Sequence, residues 1–493
     1  MKGIYKELKT IFGSDKVFKD LEILNEYQSD RNLGMVESIV PKYLVYPTNI
    51  KQIQQLVRVS KENGYVLVPT SSKPPRSHCT SVPRKENSII VNFTRMKKVL
   101  NLDLKNRGVM LEPGVNFQEF IKTSKEKGFR PHLPLYPYAK KSVVGAALDR
   151  EPILIPKYHW DISDPLLCLE TVFGTGSIFR TGAAAGPGNL TEQIEAGGAQ
   201  KNPMGPTQFS PFRLIQGSQG SIGLISWATL KIERPINSRK ILYATSDDLN
   251  DNFDFIYEIL KYRLGDEIFI VNDLNLAILI GENKKEIEKL RQILPNWICI
   301  ISIAGSGAFA QDKIDWQISD IRDYAKKFGV EIESTLPEIN EEKVRMILEE
   351  ASPDPWRLKY LGGCNDIFFI STLDKTPQFD KIIHNIAKNE KLNPLNIGVY
   401  IQPLVQGCNV HCEFDLYYEP DNDDEFEKVK KTSIAATKAL IKKGAFFNRP
   451  YGILTDIVFD NIDQEIITSM NKVKNIFDPN NILNPGVLCF KEG

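Results

Sequence analysis

Gln216-Gly-Ser-Gln-Gly-Ser-Ile-Gly-Leu-Ile-Ser-Trp-Ala-Thr-Leu-Lys-Ile-Glu-Arg-Pro235 is the stretch whose reading decides the fold. Gly217, Gly220 and Gly223 recur every third residue, and a β-rich run from Leu224 to Ile232 follows. Residues without a Cβ let backbone approach a ligand closely, and the alternating run reads as a strand passing beneath it. A large flat ligand over a sheet is one reading; a glycine-rich turn between two sheet elements is the other. A dinucleotide fingerprint is disfavoured, because its glycines join a strand to a helix whereas these precede a strand.

Upstream, Leu44 to Tyr46, Ile50 to Asn63 and Val66 to Pro69 read as strand, helix and strand, with parallel pairing implied. Thr48 is placed to cap the helix, which sets Ile53, Leu56 and Val57 on one face. The polar loop Pro69 to Pro83 precedes strands Ile89 to Phe93 and Val109 to Glu112 and a helix from Asn116 to Lys127. Ser142-Val-Val-Gly-Ala-Ala-Leu opens a buried helix whose Gly145 and Ala146 again permit close approach. Leu166 to Phe173 and Ile178 to Thr181 form a hairpin, and residues 183–209 read as loop. An amphipathic helix is expected over residues 2–26.

Downstream of Ser238, strand candidates (Lys240 to Ala244, Ile268 to Asn272, Leu276 to Ile280, Trp297 to Ala304, Ile367 to Ser371, Asn396 to Gln402, Asn409 to Tyr418) alternate with helices, which predicts an open sheet covered by helices. A helix from Gln464 to Phe477 runs into Asp478-Pro-Asn-Asn-Ile-Leu-Asn-Pro-Gly486, a turn in which each residue type sets its own backbone conformation. The fold class is α+β. At 493 residues, two or three domains are expected.

Lys plus Arg and Asp plus Glu balance at 62 each, so no global field favours nucleic acid or an anionic membrane. Neither a signal peptide nor an integral membrane segment is read in the chain. Seven cysteines without framework spacing suit a reducing, cytoplasmic compartment.

Two clusters stand out. Lys157-Tyr-His-Trp-Asp161 sets His159 beside a carboxylate, an arrangement that moves protons or merely forms a solvated loop. Cys408-Asn-Val-His-Cys-Glu-Phe-Asp415 is dense in heteroatoms, but on a strand His411 and Glu413 share one face and Cys412 the other, so no metal site is expected.

Together, Tyr46-Pro-Thr-Asn, Glu112-Pro-Gly-Val115, Val144-Gly-Ala-Ala147, the Gly217 stretch and Asp478 to Gly486 resemble, in order and spacing, the flavoprotein family of vanillyl-alcohol oxidase and p-cresol methylhydroxylase. The resemblance implies a helical segment at 1–40, an FAD-binding domain of two small α/β subdomains at 41–236, an α/β cap at 237–445, and a segment at 446–493 that returns to the FAD domain. It implies that Ser142, Gly145, Ala146, Gly217, Gly220, Ser221 and Ile222 line the flavin and its diphosphate. The family's diphosphate loop is glycine-rich, whereas Ser71, Ser72, Lys73, Arg76 and Ser77 stand here with no glycine. A loop with two prolines is expected to be unable to take the same left-handed turns, so Lys73 and Arg76 are expected to supply charge in place of amides.

By position, Asp161 matches a carboxylate that acts near the flavin, with His159 its neighbour. His411 falls close to where some members attach FAD covalently, with Cys412 beside it. Arg449 matches the arginine that holds a phenolate, with Asn448 in place of the family's tyrosine and Tyr451 and Phe447 as an aromatic wall. In related 2-hydroxy-acid dehydrogenases a metal site uses a Glu-His pair where this chain has Asn448-Arg449. The implied activity is an FAD-dependent oxidoreductase taking a hydride from a benzylic or alcohol C–H of a small phenolic or carboxylate substrate. Electrons leave to oxygen or to an electron-accepting protein subunit, and a homo-oligomer is open. Two alternatives remain: a D-2-hydroxy-acid dehydrogenase without the usual metal, and a flavin-free scaffold subunit.

Overall fold

A computed structural model describes residues 3–490 apart from 33, 160, 162, 197–199 and 206–210. The first sheet contains β1 (Val17–Phe18), β2 (Tyr43–Val45), β3 (Val66–Thr70) and β4 (Ser88–Asn92) in the order β1-β2-β4-β3, with β4 parallel to both β2 and β3. The crossover helix Ile50–Asn63 buries Ile53, Leu56, Val57 and Val59 against it. Its cap is Asn49, whose side chain accepts from Gln52 N, and not Thr48, whose own amide donates to Gln52 Oε1. The expected long N-terminal helix is broken into Ile4–Phe12 and Leu21–Asn25. Gly13, at φ +88°, ends the first piece, and Val17 and Phe18 satisfy their backbone by pairing with Val45 and Leu44.

The second sheet contains β5 (Val99–Asp103), β6 (Gly108–Leu111), β7 (Arg130–Pro131), β8 (Leu166–Phe173), β9 (Ile178–Arg180) and β10 (Gly223–Glu233), antiparallel in the order β5-β6-β10-β8-β9 with β7 also on β10. Eleven residues long, β10 is the central strand. The glycines before it serve the chain's own packing. A Cβ on Gly223 would lie 2.1 Å from Thr171 Oγ1, one on Gly220 would lie 2.3 Å from Pro69 Cγ, and Gly217 and Gly220 are left-handed at φ +79° and +75°. The region expected to be all loop contains the helix Leu190–Glu195, with a capping box between Asn189 and Glu192; its positions 197–199 and 206–209 lie outside the described residues.

The third sheet is seven-stranded and antiparallel: β11 (Ser238–Ser246), β12 (Glu267–Asn272), β13 (Trp297–Gly305), β14 (Ile332–Glu333), β15 (Gly363–Ser371), β16 (Ile397–Leu404) and β17 (Asn409–Tyr418), in the order β14-β11-β13-β12-β16-β17-β15. Leu276 to Ile280, expected as a strand, belongs to the helix Asp273–Ile280. Every residue from Leu274 to Ile280 is buried, which erases the periodicity that separates a short helix from a strand. Phe369, Cys412, Phe414 and Leu416 face a core covered by the helices Phe253–Lys261, Ala310–Phe328, Thr376–Asn389 and Asp423–Ile441. The opposite face packs on Leu135, Tyr136 and Leu154 of the first half.

The chain's last segment lies along β3: Leu67 N donates to Ile482 O at 2.7 Å, and Asn484 N donates to Leu67 O at 2.8 Å. Asp478, fully buried, accepts from Ile482 N and Leu483 N at 3.1 and 2.8 Å and pairs with Lys474. Gly174 is required there, since a Cβ would come within 2.1 Å of Asp478 Oδ1.

Candidate active site

Between the first half and the third sheet lies a cavity with about 1660 Å³ of empty space including its mouth, ample for a dinucleotide-sized cofactor. Its floor comes from the loop after β3, from Gly145 and Leu148, and from Gly220 and Ile225; its roof comes from β15, β16 and β17. Register explains the roof. Asp366 pairs with Asp415, Phe368 with Glu413 and Ile370 with His411, so the inward residues of β15 and β17 form one polar and aromatic surface.

The loop after β3 corrects an expectation. His78 and Cys79 adopt φ +64° and +55° in succession, so the loop takes left-handed turns without glycine. Among the described residues the amides of Ser71, Ser72, Ser77, Thr80 and Ser81 make no hydrogen bond within the protein, and all five residues line the cavity. Unpaired amides along one loop suit the oxygens of a diphosphate, although the Ser72 hydroxyl accepts from Ser142 N at 3.0 Å and that of Ser81 donates to Pro69 O at 3.3 Å. Lys73 does not line the cavity. Arg76 does, but its guanidinium stacks on Tyr27 at 4.4 Å and donates to Glu26 O at 2.5 Å, so it is engaged within the protein. Gly145 also suits a close approach: a Cβ there would lie 3.0 Å from Ser71 Oγ. Ser142, Ala146, Gly217, Ser221 and Ile222 do not line the cavity; Ser142 Oγ caps the helix Val143–Leu148 by accepting from Gly145 N.

Several cavity residues carry charge. Arg31 pairs with Asp366 at 3.0 Å, Lys141 with Glu151 at 2.7 Å, and Arg357 with Glu413, donating also to Asp415 at 3.1 Å. Burial works against the Glu413 carboxylate, but Arg357 and His411 outweigh it and hold the group down at about 2. Asp149 is raised by burial. Arg449 alone of the cavity arginines makes neither an ion pair nor a hydrogen bond among the described residues; its Nε is buried without a partner and its guanidinium lies 4.3 Å over the Phe368 ring. Burial pulls its affinity for a proton down, against Glu151 and Asp149.

Arg449 also borders a second cavity of about 300 Å³ behind the first, shared with Glu151, His159, Asp161, His411 and Asn448. The structure thus brings Arg449, His159, Asp161 and His411 to one small space, while Tyr451 sits outside both linings. The Tyr451 hydroxyl donates to Asp366 O at 2.6 Å. His411 Nε2 meets Glu413 Oε2 at 2.9 Å, and Cys412 faces the opposite core. Asp161 is held by Ser163 N at 2.6 Å and by Arg213, which keep it ionised against burial. His159 is pushed by burial down to about 3, and its Nδ1 accepts from Val405 N at 3.3 Å. Its Nε2 therefore carries the proton and is buried without a partner.

Reading the sequence missed Arg31, His78, Arg357 and Asp366. The run Asn365 to Ser371 does not alternate, so Asp366 had no periodic signal beyond its place in an apolar strand, and the other three lie in loops or short turns. All seven cysteines are free thiols. Among the described residues no group of three His, Cys, Asp or Glu is placed to hold a metal, and no helix is long and apolar enough to cross a membrane.

Comparison with known proteins agrees with this architecture. A family model described as FAD binding domain matches residues 41–182, and one described as FAD linked oxidases, C-terminal domain, matches residues 455–488. The 4-cresol dehydrogenase [hydroxylating] flavoprotein subunit of Pseudomonas putida is 24% identical, over 98% of this chain and 94% of its own length. Glycolate oxidase subunit GlcD of Bacillus subtilis is 21% identical, over 92% and 90%. A solved structure of p-cresol methylhydroxylase with substrate bound shares the fold at a TM-score of 0.82 and 17% identity, covering 99% of this chain and 96% of that one. With FAD-specific matches at both ends of the chain, one fold spanning them and a cavity suited to the cofactor, the chain is an FAD-linked oxidoreductase that has the fold of p-cresol methylhydroxylase and takes FAD as its cofactor.

Proposed function

We propose that this enzyme oxidises a small organic anion, at an alcohol or benzylic C–H near a carboxylate or phenolate. The observation that carries the reading is Arg449, half-buried at the junction of the two cavities, its Nε buried and its guanidinium without an ion pair or hydrogen bond among the described residues. Desolvating a guanidinium that has no paired carboxylate is costly, even with Glu151 and Asp149 acting in its favour, and a ligand anion offsets that cost. Bound FAD supplies the hydride acceptor, held by the serine-rich loop and by Gly145. His159 Nε2–H is a neutral donor beside Arg449, and Asn448 Oδ1, also unpartnered, is an acceptor. Together they offer an anion two donors and a neighbouring hydroxyl one acceptor.

Neither Asp161 nor His159 suits the proton, since the first is engaged by Arg213 and the second, pushed by burial down to about 3, is too weak a base to accept one near neutrality. Asp149, raised by burial and lining the large cavity, is better matched to accept it. Relatives whose names specify D-lactate, D-2-hydroxyglutarate and 4-cresol support both anion classes. The flavoprotein-subunit relative supports an electron-accepting partner subunit. FAD as cofactor leaves the flavin-free alternative without a basis.

The test is anaerobic mixing of the FAD-loaded protein with 2-hydroxy acids and 4-alkylphenols, together with their methyl esters and ethers, following flavin absorbance. Acids or phenols should bleach the flavin and the neutral derivatives should not. Arg449→Met should raise the half-saturating concentration roughly 30- to 1000-fold. Equal bleaching by the neutral derivatives would sink the proposal.

A further inference from the structure

Two consecutive non-glycine residues, His78 and Cys79, hold left-handed backbone at the point where the loop after β3 turns along the cavity. Such a conformation persists only where the surroundings impose it. Here they come from outside the matched FAD-binding region, from residues 26–32. His78 N donates to Asn32 Oδ1 at 2.7 Å and Cys79 N donates to Asp30 Oδ2 at 2.6 Å. Arg31 N donates to Arg76 O at 3.0 Å, and Arg76 returns a bond to Glu26 O while stacking on Tyr27.

The same short segment is anchored to the third sheet. Asn32 Nδ2 donates to Asn365 Oδ1 at 3.1 Å, and Arg31 pairs with Asp366. The two amides it caps lie between the free amides of Ser77 on one side and Thr80 and Ser81 on the other. Moving the turn would therefore move the donors that face the cofactor.

We propose that Asp30 and Asn32 are positioning residues of the FAD site: by capping His78 N and Cys79 N they hold, without glycine, the turn that aims the loop's free amides into the cavity. A charge-assisted bond to an amide fixes both the direction and the depth of that turn. With Asp30 removed, Cys79 N loses its cap and only Asn32, at His78 N, still holds the two left-handed side-chain-bearing residues in a row. Glycine at Cys79 would take the conformation unaided. The inference concerns the cofactor alone and does not depend on the substrate.

The experiment is titration of deflavinated protein with FAD, read by flavin fluorescence, which needs no substrate. Asp30→Ala and Asn32→Ala should each weaken FAD binding roughly tenfold or more. Cys79→Gly added to Asp30→Ala should recover most of that loss, an outcome that a general destabilisation would not give. Where Asp30→Ala alone does not accumulate, the double variant answers the question, because it should fold and bind FAD. An unchanged affinity in Asp30→Ala, or a double variant that fails to fold or folds without regaining FAD, overturns the proposal.

Discussion

Asp366→Asn tests whether the roof of the cavity is held by charge. Asp366 is 2% exposed, and its Oδ2 meets Arg31 Nη2 at 3.0 Å and His78 Nε2 at 2.7 Å. Burial alone would raise its carboxyl, but His78, Arg31 and Arg357 together hold it well below the usual carboxylate range. The amide keeps the shape and one acceptor, but leaves the buried Arg31 without a counter-charge. Breaking a buried pair from one side costs about 3–5 kcal/mol. Unfolding entropy for a chain of this length is on the order of 1 kcal/mol per degree, so the melting temperature at pH 7 should fall by roughly 3–5 °C. The folded carboxyl lies below the unfolded one, so its stabilisation is complete above about pH 4 and is lost as the pH falls through the folded value. The gap between wild type and variant should therefore stay level from pH 8 to 5 and close on further acidification. Arg31→Met added to Asp366→Asn should cost little more than the single change, since the partners act as a unit. A shift under about 1 °C at pH 7, or a gap that widens in acid, would refute the reasoning.

Two further predictions concern buried groups. His159, neutral in the fold and pushed down to about 3, binds a proton on unfolding below about pH 6.5, so it makes stability fall by up to about 1.4 kcal/mol per pH unit between roughly pH 6 and 3; His159→Gln should flatten that limb in pH-dependent melting curves, and an unchanged slope would count against a neutral, buried ring. Gly398→Ala would set a Cβ 1.9 Å from Asn275 Oδ1, and Asn275 cannot yield because it donates to Asp415 at 2.9 Å and accepts from Tyr417 at 2.7 Å; a loss of about 1–3 kcal/mol in urea denaturation is expected, and a neutral effect would show that this network can shift.

Much of the frame was legible because it is written locally. The run Leu224 to Ile232 alternates over enough residues to announce β10, and Asn409 to Tyr418 does the same for β17. Period two alone put His411 and Glu413 on one face, and they meet at 2.9 Å. Period fails where burial is complete, as in Asp273–Ile280, or where a strand has one partner and a part-exposed face, as in β5. The Gly217 stretch serves both readings, since Gly220 and Gly223 line the cavity and Gly217 does not. Its spacing was compatible with ligand approach, but Thr171 and Pro69, more than fifty residues and about 150 residues away in sequence respectively, occupy the space that Gly223 and Gly220 leave open.

The cavity itself was the least legible part, and the reason is the distance along the chain between partners. Arg31 and Asp366 are 335 residues apart and His78 and Asp366 are 288 apart, so no window of sequence contains both members of either pair. A glycine-rich loop declares its conformation in its own residues. A loop whose left-handed turn is imposed by Asp30 and Asn32 declares nothing locally, and its two prolines even argue for the wrong backbone. From its sequence this loop is expected to bind through the charges of Lys73 and Arg76; on the proposed capping it binds through amides whose direction is set from outside the loop. The same transfer bears on Arg76: positive charge near an anion site is informative only when the charge is free, and Tyr27 and Glu26, some fifty residues upstream, engage its guanidinium, while Lys73 does not line the cavity. Arg449 is the converse case, an arginine whose significance lies in having no partner, which only the folded chain can reveal.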